Sequence, residues 1–269
     1  MTYATLMVNV DPGGVNAAVL EATGDLAERL HSRVIGIAVG RLATGLYADG
    51  YVGGALIDQE YAAVEELLKA AEAEFRRAMH NRAASIEWRS RATFEPAAAY
   101  VAAQARSADL LVTGGGVLSS VETGDLVMQA GRPVLTAPPG VVMADARRVV
   151  IAWKDTREAR RAAYDALPLL RLAESIAVVE IAADDELADA QGRTRDVVDW
   201  LARHGVTADA IASAAQDDDH QRLHEIARDR NAGLIVAGAY GHSRLREWII
   251  GGVTRALLAD PAHRSLLSH

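Results

Sequence analysis

The chain has 269 residues, of which 50% are hydrophobic and 24% charged, a globular composition that argues against disorder. With 28 Lys and Arg against 36 Asp and Glu, its formal net charge of -8 argues against nucleic acid or an anionic membrane as a partner. The absence of cysteine excludes disulfides, thiol catalysis and cysteine-based zinc sites.

Short β-branched runs alternate with amphipathic helical stretches, which predicts an α/β fold whose parallel strands are buried on both faces. In the first half, strands are predicted near 4–10, 33–39, 86–91, 109–113 and 133–137, with helices at Val15–Leu30 and up to His80. In the second half, strands are predicted near 148–153, 175–181, 208–213, 233–237 and 264–268, with a helix at Arg157–Leu172.

The two halves repeat each other. Leu6–Asp11 matches Val149–Lys154 at an offset of 143 positions, and Ala108–Gly114 matches Ala232–Gly238 at an offset of 124. Pro138, Pro139 and Gly140 mark the boundary between them. The sequence therefore predicts two doubly wound, five-stranded parallel-sheet domains in tandem, at residues 1–143 and 147–269. Ligands of such sheets bind at the carboxyl ends of the strands.

A glycine-rich segment follows the fourth strand of the second half. Gly238 and Gly241 are followed by nine residues, and Gly251–Thr254 then opens a predicted helix. Glycines and the free amides of a helix start suit a phosphate group. Ordinary turn chemistry explains the same glycines, so the spacing alone leaves both interpretations open.

This spacing closely resembles the ATP-binding pattern of the universal stress protein family, and the order of strands and helices extends the resemblance over nearly the whole chain. The resemblance implies a tandem member with an adenine nucleotide α-hydrolase-like fold. It implies that the two halves form an internal pseudo-dimer through their last strands, Val134–Ala137 and Ser265–Ser268. Whether the chain also forms a homodimer stays open.

The resemblance also implies a nucleotide site in the second domain only, for ATP with Mg²⁺. Its residues would be Ala152, Trp153, Lys154, Ile181, Gly238, Gly241, His242, Gly251, Gly252, Val253 and Thr254.

Two of these residues depart from the family's pattern. Gly252 stands where the family has a hydroxyl side chain, and Lys154 stands where it has an acidic one. Lys154 either reaches a phosphate as a point charge or is a solvated residue at a strand end. The next residue, Asp155, is predicted to be the N-cap of the following helix. Trp153 is expected to be a core or pocket wall rather than a stacking platform for a base.

The first half keeps the family's acidic position as Asp11 but lacks the glycine pattern after Thr113 and Gly114. Asp125 stands where the family places a phosphate-binding hydroxyl, and its charge would repel a phosphate. We therefore predict that this half binds no nucleotide triphosphate and is a structural partner or takes another ligand.

The expected function is adenine nucleotide binding in a regulatory stress response. We predict no catalytic residues, although slow ATP hydrolysis needs little more than a metal and a water-accessible γ-phosphate. A non-nucleotide, partner-binding or scaffolding module is the alternative. His220 and His224 have helical spacing but no third ligand, so no metal site is predicted. With no apolar run of about 18 residues and no secretory signal, we expect a soluble, cytoplasmic protein.

Overall fold

The computed structural model describes residues 2–42, 54–114, 121–138, 147–215, 219–239, 257 and 263–269. Contacts between Cα atoms divide the chain into two compact units. The first unit is Tyr3–Gly131, and the second unit is Arg132–His269 together with the first two residues. Within the described residues, no helix is long and apolar enough to cross a membrane.

The first unit is a parallel sheet flanked by helices. Its elements are β1 (Thr5–Asn9), α1 (Ala17–Leu30), β2 (Arg33–Arg41), α2 (Gly54–Met79), β3 (Ser85–Thr93), α3 (Ala97–Gln104), β4 (Leu110–Thr113) and α4 (Thr123–Ala130). The strand order is β3-β2-β1-β4, and each neighbouring pair is parallel.

The second unit has the same plan with two added strands. Its elements are β5 (Val134–Thr136), β6 (Arg148–Ala152), α5 (Arg157–Asp165), α6 (Leu167–Leu170), β7 (Ser175–Ala182), α7 (Leu187–Arg203), β8 (Asp209–Ala214), α8 (Asp219–Asp229), β9 (Leu234–Gly238) and β10 (Arg264–Ser268). The strand order is β5-β10-β9-β6-β7-β8. The pairs from β10 to β8 are parallel, and β5 is antiparallel to β10.

All ten predicted strands are present, which confirms the α/β class with a mostly parallel sheet. Eight of them have apolar runs that are buried on both faces, as a parallel sheet covered by helices requires, whereas β3 and β8 are mostly half-buried or exposed. In β1, for example, Leu6, Met7 and Val8 are fully buried. In α2, Val64, Leu68 and Ala71 are buried, whereas Leu67 is 45% exposed.

The predicted helix Arg157–Leu172 is instead two helices. Thr156 is the N-cap of α5, and its hydroxyl accepts a hydrogen bond of 3.2 Å from the amide of Ala159. Asp155 is therefore not the cap, and it pairs with Arg160 at 2.5 Å. The helix is interrupted at Ala166, next to Pro168 in the first turn of α6. Proline lacks an amide hydrogen and is favoured at a helix start, which explains the interruption.

The predicted edge pairing is present, because Leu266 and Leu267 of β10 pair with Leu135 and Val134 of β5. Thr136 reinforces it by accepting a hydrogen bond of 3.0 Å from the amide of Ser265. Through these contacts β5 belongs to the second unit, so the described strands divide as four and six rather than five and five. The domain boundaries 1–143 and 147–269 were derived from the sequence repeat, and they stay a prediction.

Candidate functional site

The second unit has a topological switch point between β6 and β9. The chain runs from β6 outward to β7 and β8, and then returns to the other side of β6 to form β9 and β10. The last residue of β6, Ala152, lies beside Ala237 of β9 in the register. In open α/β sheets, ligands bind outside the carboxyl ends of the strands at such a point.

Five of the predicted site residues are described, and all five lie toward this edge. Ala152 ends β6, Trp153 and Lys154 follow it, and Gly238 ends β9. The amide of Trp153 donates a hydrogen bond of 2.8 Å to Val179 of β7, and Ile181 lies two residues further along that strand. These five residues stand on or directly after three neighbouring strands, and their roles toward a nucleotide stay a prediction.

Gly238 is a glycine because a helix start lies against it. A Cβ atom at this position would lie 2.5 Å from the carbonyl carbon of Glu158 and 2.9 Å from the Cα of Ala159, and it would also meet the Ala159 amide. No side chain fits between the end of β9 and the first turn of α5. This contact explains the glycine without a ligand, a reason that the sequence interpretation did not include.

The side chains at this edge present hydrogen-bond donors. Lys154 is exposed, and its ammonium group makes no hydrogen bond or ion pair with another described residue. The indole N–H of Trp153 is buried and has no partner among the described residues, and the same is true of the Ser268 hydroxyl at the end of β10. Buried donors nearly always have a partner, so a ligand acceptor would suit this edge.

Comparison with solved structures supports the fold over the full length of the chain. The chain is 14% identical to a universal stress protein from Archaeoglobus fulgidus DSM 4304, with a TM-score of 0.74 and 97% of both chains covered. The chain has the universal stress protein fold. A candidate universal stress protein from Pseudomonas aeruginosa UCBPP-PA14 is 12% identical, with a TM-score of 0.64 and coverage of 99% of this chain and 93% of that one.

A protein of unknown function from Pseudomonas aeruginosa PAO1 also has this fold. It is 14% identical to the chain, with a TM-score of 0.61 and coverage of 99% and 92%. No protein-family profile and no curated protein matches the sequence. The likeness confirms the predicted resemblance at the level of the universal stress protein fold.

The glycine-rich segment of the predicted site lies outside the described residues. It comprises Gly241, His242, Gly251, Gly252, Val253 and Thr254. Their roles toward a nucleotide stay a prediction from the universal stress protein pattern.

Glu158 is a buried charge beside the switch point that sequence reasoning missed. It lies in the first turn of α5, is 3% exposed, and accepts a hydrogen bond from Arg157. Burial alone would raise the pKa of this carboxyl. Hydrogen bonds from Arg157 and from its own backbone amide, with the nearby charges of Arg157 and His269, hold the pKa below its usual value.

His269 belongs to the same edge of the universal stress protein fold. Its Nδ1 donates a hydrogen bond of 3.1 Å to the carbonyl oxygen of Ala239, directly after β9. The Ala239 amide in turn donates to the carbonyl oxygen of Ser268 at 2.8 Å. These bonds hold the ends of β9 and β10 together, and no sequence motif indicated them.

The structure adds a third ring to the predicted histidine pair. The centroids of His220 and His224 are 4.2 Å apart, and His263, just before β10, lies 5.3 Å from His224. Sequence spacing could not reveal His263, because it is distant in the chain. In the part of the chain that the structure describes, no group of three His, Cys, Asp or Glu is arranged to hold a metal ion.

Proposed function

We propose that the protein is a regulatory stress-response protein of the universal stress type that binds ATP or a related adenine nucleotide in its second unit. The observation that carries this proposal is the exposed Lys154 at the β6/β9 switch point of a universal stress protein fold. An ammonium group there suits an anionic ligand, and no ion pair with a described residue has to be broken before Lys154 can contact that ligand.

The described residues fit a nucleotide phosphate in charge and in hydrogen-bonding capacity. Lys154 supplies a positive charge, and the Trp153 indole supplies a donor without a described partner. The segment containing His242 and Gly251–Thr254 would add backbone amides and the Thr254 hydroxyl. Mg²⁺ would be held through the phosphates of the nucleotide, since this ion commonly keeps most of its waters.

The proposed role is regulatory rather than catalytic. Nucleotide binding at this edge would bias a signal to a partner, and hydrolysis would be slow and incidental. The two sequence halves would act as an internal pseudo-dimer in the cytoplasm. The pairing of β5 with β10 supports the expected association of their last strands.

The test is the melting temperature of the purified protein with millimolar MgATP, with AMP and with buffer alone. A ligand at 100 times its dissociation constant adds about 2.7 kcal/mol to the free energy of unfolding. We expect a clear rise with MgATP that is reduced in Lys154→Met and lost in Gly251→Asp. Lys69→Met is the matched control, because Lys69 is an exposed residue of α2 in the first unit.

Two observations favour a second candidate, a partner-binding module without a nucleotide. Gly238 has a structural reason to be glycine, so it gives no independent support for a phosphate loop. Lys154 also replaces the acidic residue of the family pattern. An unchanged melting temperature with every adenine nucleotide would support this candidate and contradict the nucleotide proposal.

A further inference from the structure

The two units have opposite chemistry at equivalent positions of the fold. By the repeat offsets, Asn9 and Thr113 of the first unit correspond to Ala152 and Ala237 of the second. The second unit thus has two methyl groups where the first unit has an amide and a hydroxyl. Asp11 likewise corresponds to Lys154, so the charge at this place is reversed.

Asn9 and Thr113 lie side by side at the switch point of the first unit. They are the last residues of β1 and β4, and the preceding residues, Val8 and Val112, are paired in the register. The chain continues from β1 to β2 and β3 and returns on the other side of β1 as β4. The two polar side chains therefore stand on neighbouring strands at the edge where ligands of such sheets bind.

Both side chains are buried, and each has an oxygen without a partner. Asn9 is 3% exposed and Thr113 is fully buried. The Oδ1 of Asn9 and the Oγ1 of Thr113 make no hydrogen bond with any described residue. Buried oxygens rarely lack a hydrogen-bond partner, because an oxygen that gives up its bound water without gaining another partner costs free energy.

The orientation of the Asn9 amide is fixed, so the unpaired atom is an acceptor. Its Nδ2 donates a hydrogen bond of 3.1 Å to the carboxylate of Asp11. The loop that carries Asp11 is held by Asn16, whose Oδ1 accepts from the Asp11 amide at 2.8 Å. The Nδ2 of Asn16 donates to the Asp11 carbonyl oxygen at 3.1 Å and to Glu74 of α2 at 2.9 Å.

There is open space at the residue that follows Thr113. Gly114 follows Thr113, and no described atom lies within 4 Å of the position that a Cβ would take there. In the second unit the corresponding Gly238 is closed by a helix start. The first unit therefore leaves room where the second does not.

We propose that the first unit binds the protonated amine of a small molecule at Asn9, Asp11 and Thr113. An ammonium group has three donors and no acceptor, and the amide oxygen, the carboxylate and the hydroxyl are three groups that accept. Asp11 also supplies the opposite charge, which strengthens such hydrogen bonds.

The experiment follows nitrogen-15 NMR signals of the full chain during titration with methylammonium chloride. The reporters are the Asn9 side-chain amide and the backbone amide of Gly114. Tetramethylammonium chloride is the comparison salt, because it has the same charge and no N–H donor. We expect saturable shifts of both reporters with methylammonium and none with tetramethylammonium.

Variants assign the binding to these side chains. Thr113→Val keeps the shape and removes the hydroxyl, and it is expected to weaken methylammonium binding about tenfold, as loss of one hydrogen bond does. Asp11→Asn removes the charge at a half-exposed position, and it tests the proposal if Thr113→Val does not fold. Thr23→Val is the control, since Thr23 is a buried threonine whose hydroxyl already donates to Val19 at 2.7 Å.

Equal shifts with both salts would mean ionic screening only, and no saturable shift would mean that the two oxygens hold water only. Either result overturns the proposal, as does unchanged affinity in both Thr113→Val and Asp11→Asn. The proposed nucleotide site is in the other unit and is tested by a different ligand, so failure of one proposal leaves the other standing.

Discussion

At the scale of single residues, Glu158 shows how a buried charge makes stability depend on pH. Its folded pKa lies below the reference value of 4.5, so the ionised carboxylate contributes stability above that pH. The contribution is lost as the pH falls through the folded pKa. We expect Glu158→Gln to lower the free energy of unfolding by roughly 1 kcal/mol at pH 7, since it removes one charge-assisted hydrogen bond to an exposed partner.

The measurement is denaturant unfolding of both proteins between pH 7 and pH 3 without nucleotide. The difference between them should narrow below pH 4.5, where the native carboxyl also becomes neutral. Glu66→Gln is the control, because Glu66 pairs with Lys69 on an exposed face of α2 and should change stability little at any pH. If the difference in free energy of unfolding stayed constant from pH 7 to pH 3, ionisation of Glu158 would not be its cause.

Single residues were also the part of the site least predictable from the sequence. Asp11 was identified at the end of the first predicted strand, but burial of the Asn9 amide oxygen without a described partner depends on β4, about a hundred residues away. Lys154 and Gly238 were identified because they follow strands at fixed spacing. Glu158 carried no such signal, since an acidic residue in a first helical turn is ordinary.

At the scale of elements, the contact between α5 and β9 gives a second prediction. Gly238→Ala should lower the free energy of unfolding by about 1–3 kcal/mol, because the new methyl group meets backbone atoms of Glu158 and Ala159 that cannot move independently of the helix. Thermal and denaturant unfolding would measure the loss.

Gly192 provides the matched control for this substitution. It lies inside α7, and no atom is within 4 Å of the position of its missing Cβ. Gly192→Ala should raise the free energy of unfolding by about 0.5–1 kcal/mol, because alanine is the better helix former. If Gly238→Ala were as harmless as Gly192→Ala, the close approach of α5 to β9 would be wrong.

The elements themselves were largely predictable, for a physical reason. Strands buried on both faces are short apolar runs, and such runs stand out against helices with polar faces. The errors in the predicted elements concern helix ends, where a single hydrogen bond can decide which residue caps the helix. Thr156 rather than Asp155 caps α5 because its hydroxyl reaches the Ala159 amide, and Val15 is 80% exposed ahead of a helix that begins at Ala17.

At the scale of the whole molecule, the sequence repeat and the compact units divide the chain differently. The repeat assigns β5 to the first half, whereas its pairing with β10 includes it in the second unit. Periodicity within one half cannot show this, because a strand's partner is set by contacts between segments that are far apart in the chain. Only the family resemblance predicted the pairing of the last strands.

The contribution of β5 can be measured by comparing two fragments, 132–269 and 147–269. The longer fragment keeps β5 on β10, whereas the shorter one leaves the peptide groups of Leu266 and Leu267 without the partners that Leu135 and Val134 provide. An uncovered apolar edge strand pairs readily with other chains. We therefore expect the shorter fragment to form larger species in size-exclusion chromatography with light scattering at equal concentration.

A variant of the longer fragment separates strand pairing from a single side-chain contact. Thr136→Val removes the hydroxyl that accepts the Ser265 amide at 3.0 Å but keeps the strand. It should lower the melting temperature and leave the fragment as monomeric as its parent, because the backbone pairing still covers the edge. Equal association of 132–269 and 147–269 would mean that β5 does not protect β10, and that β10 is kept from self-association by something other than this strand.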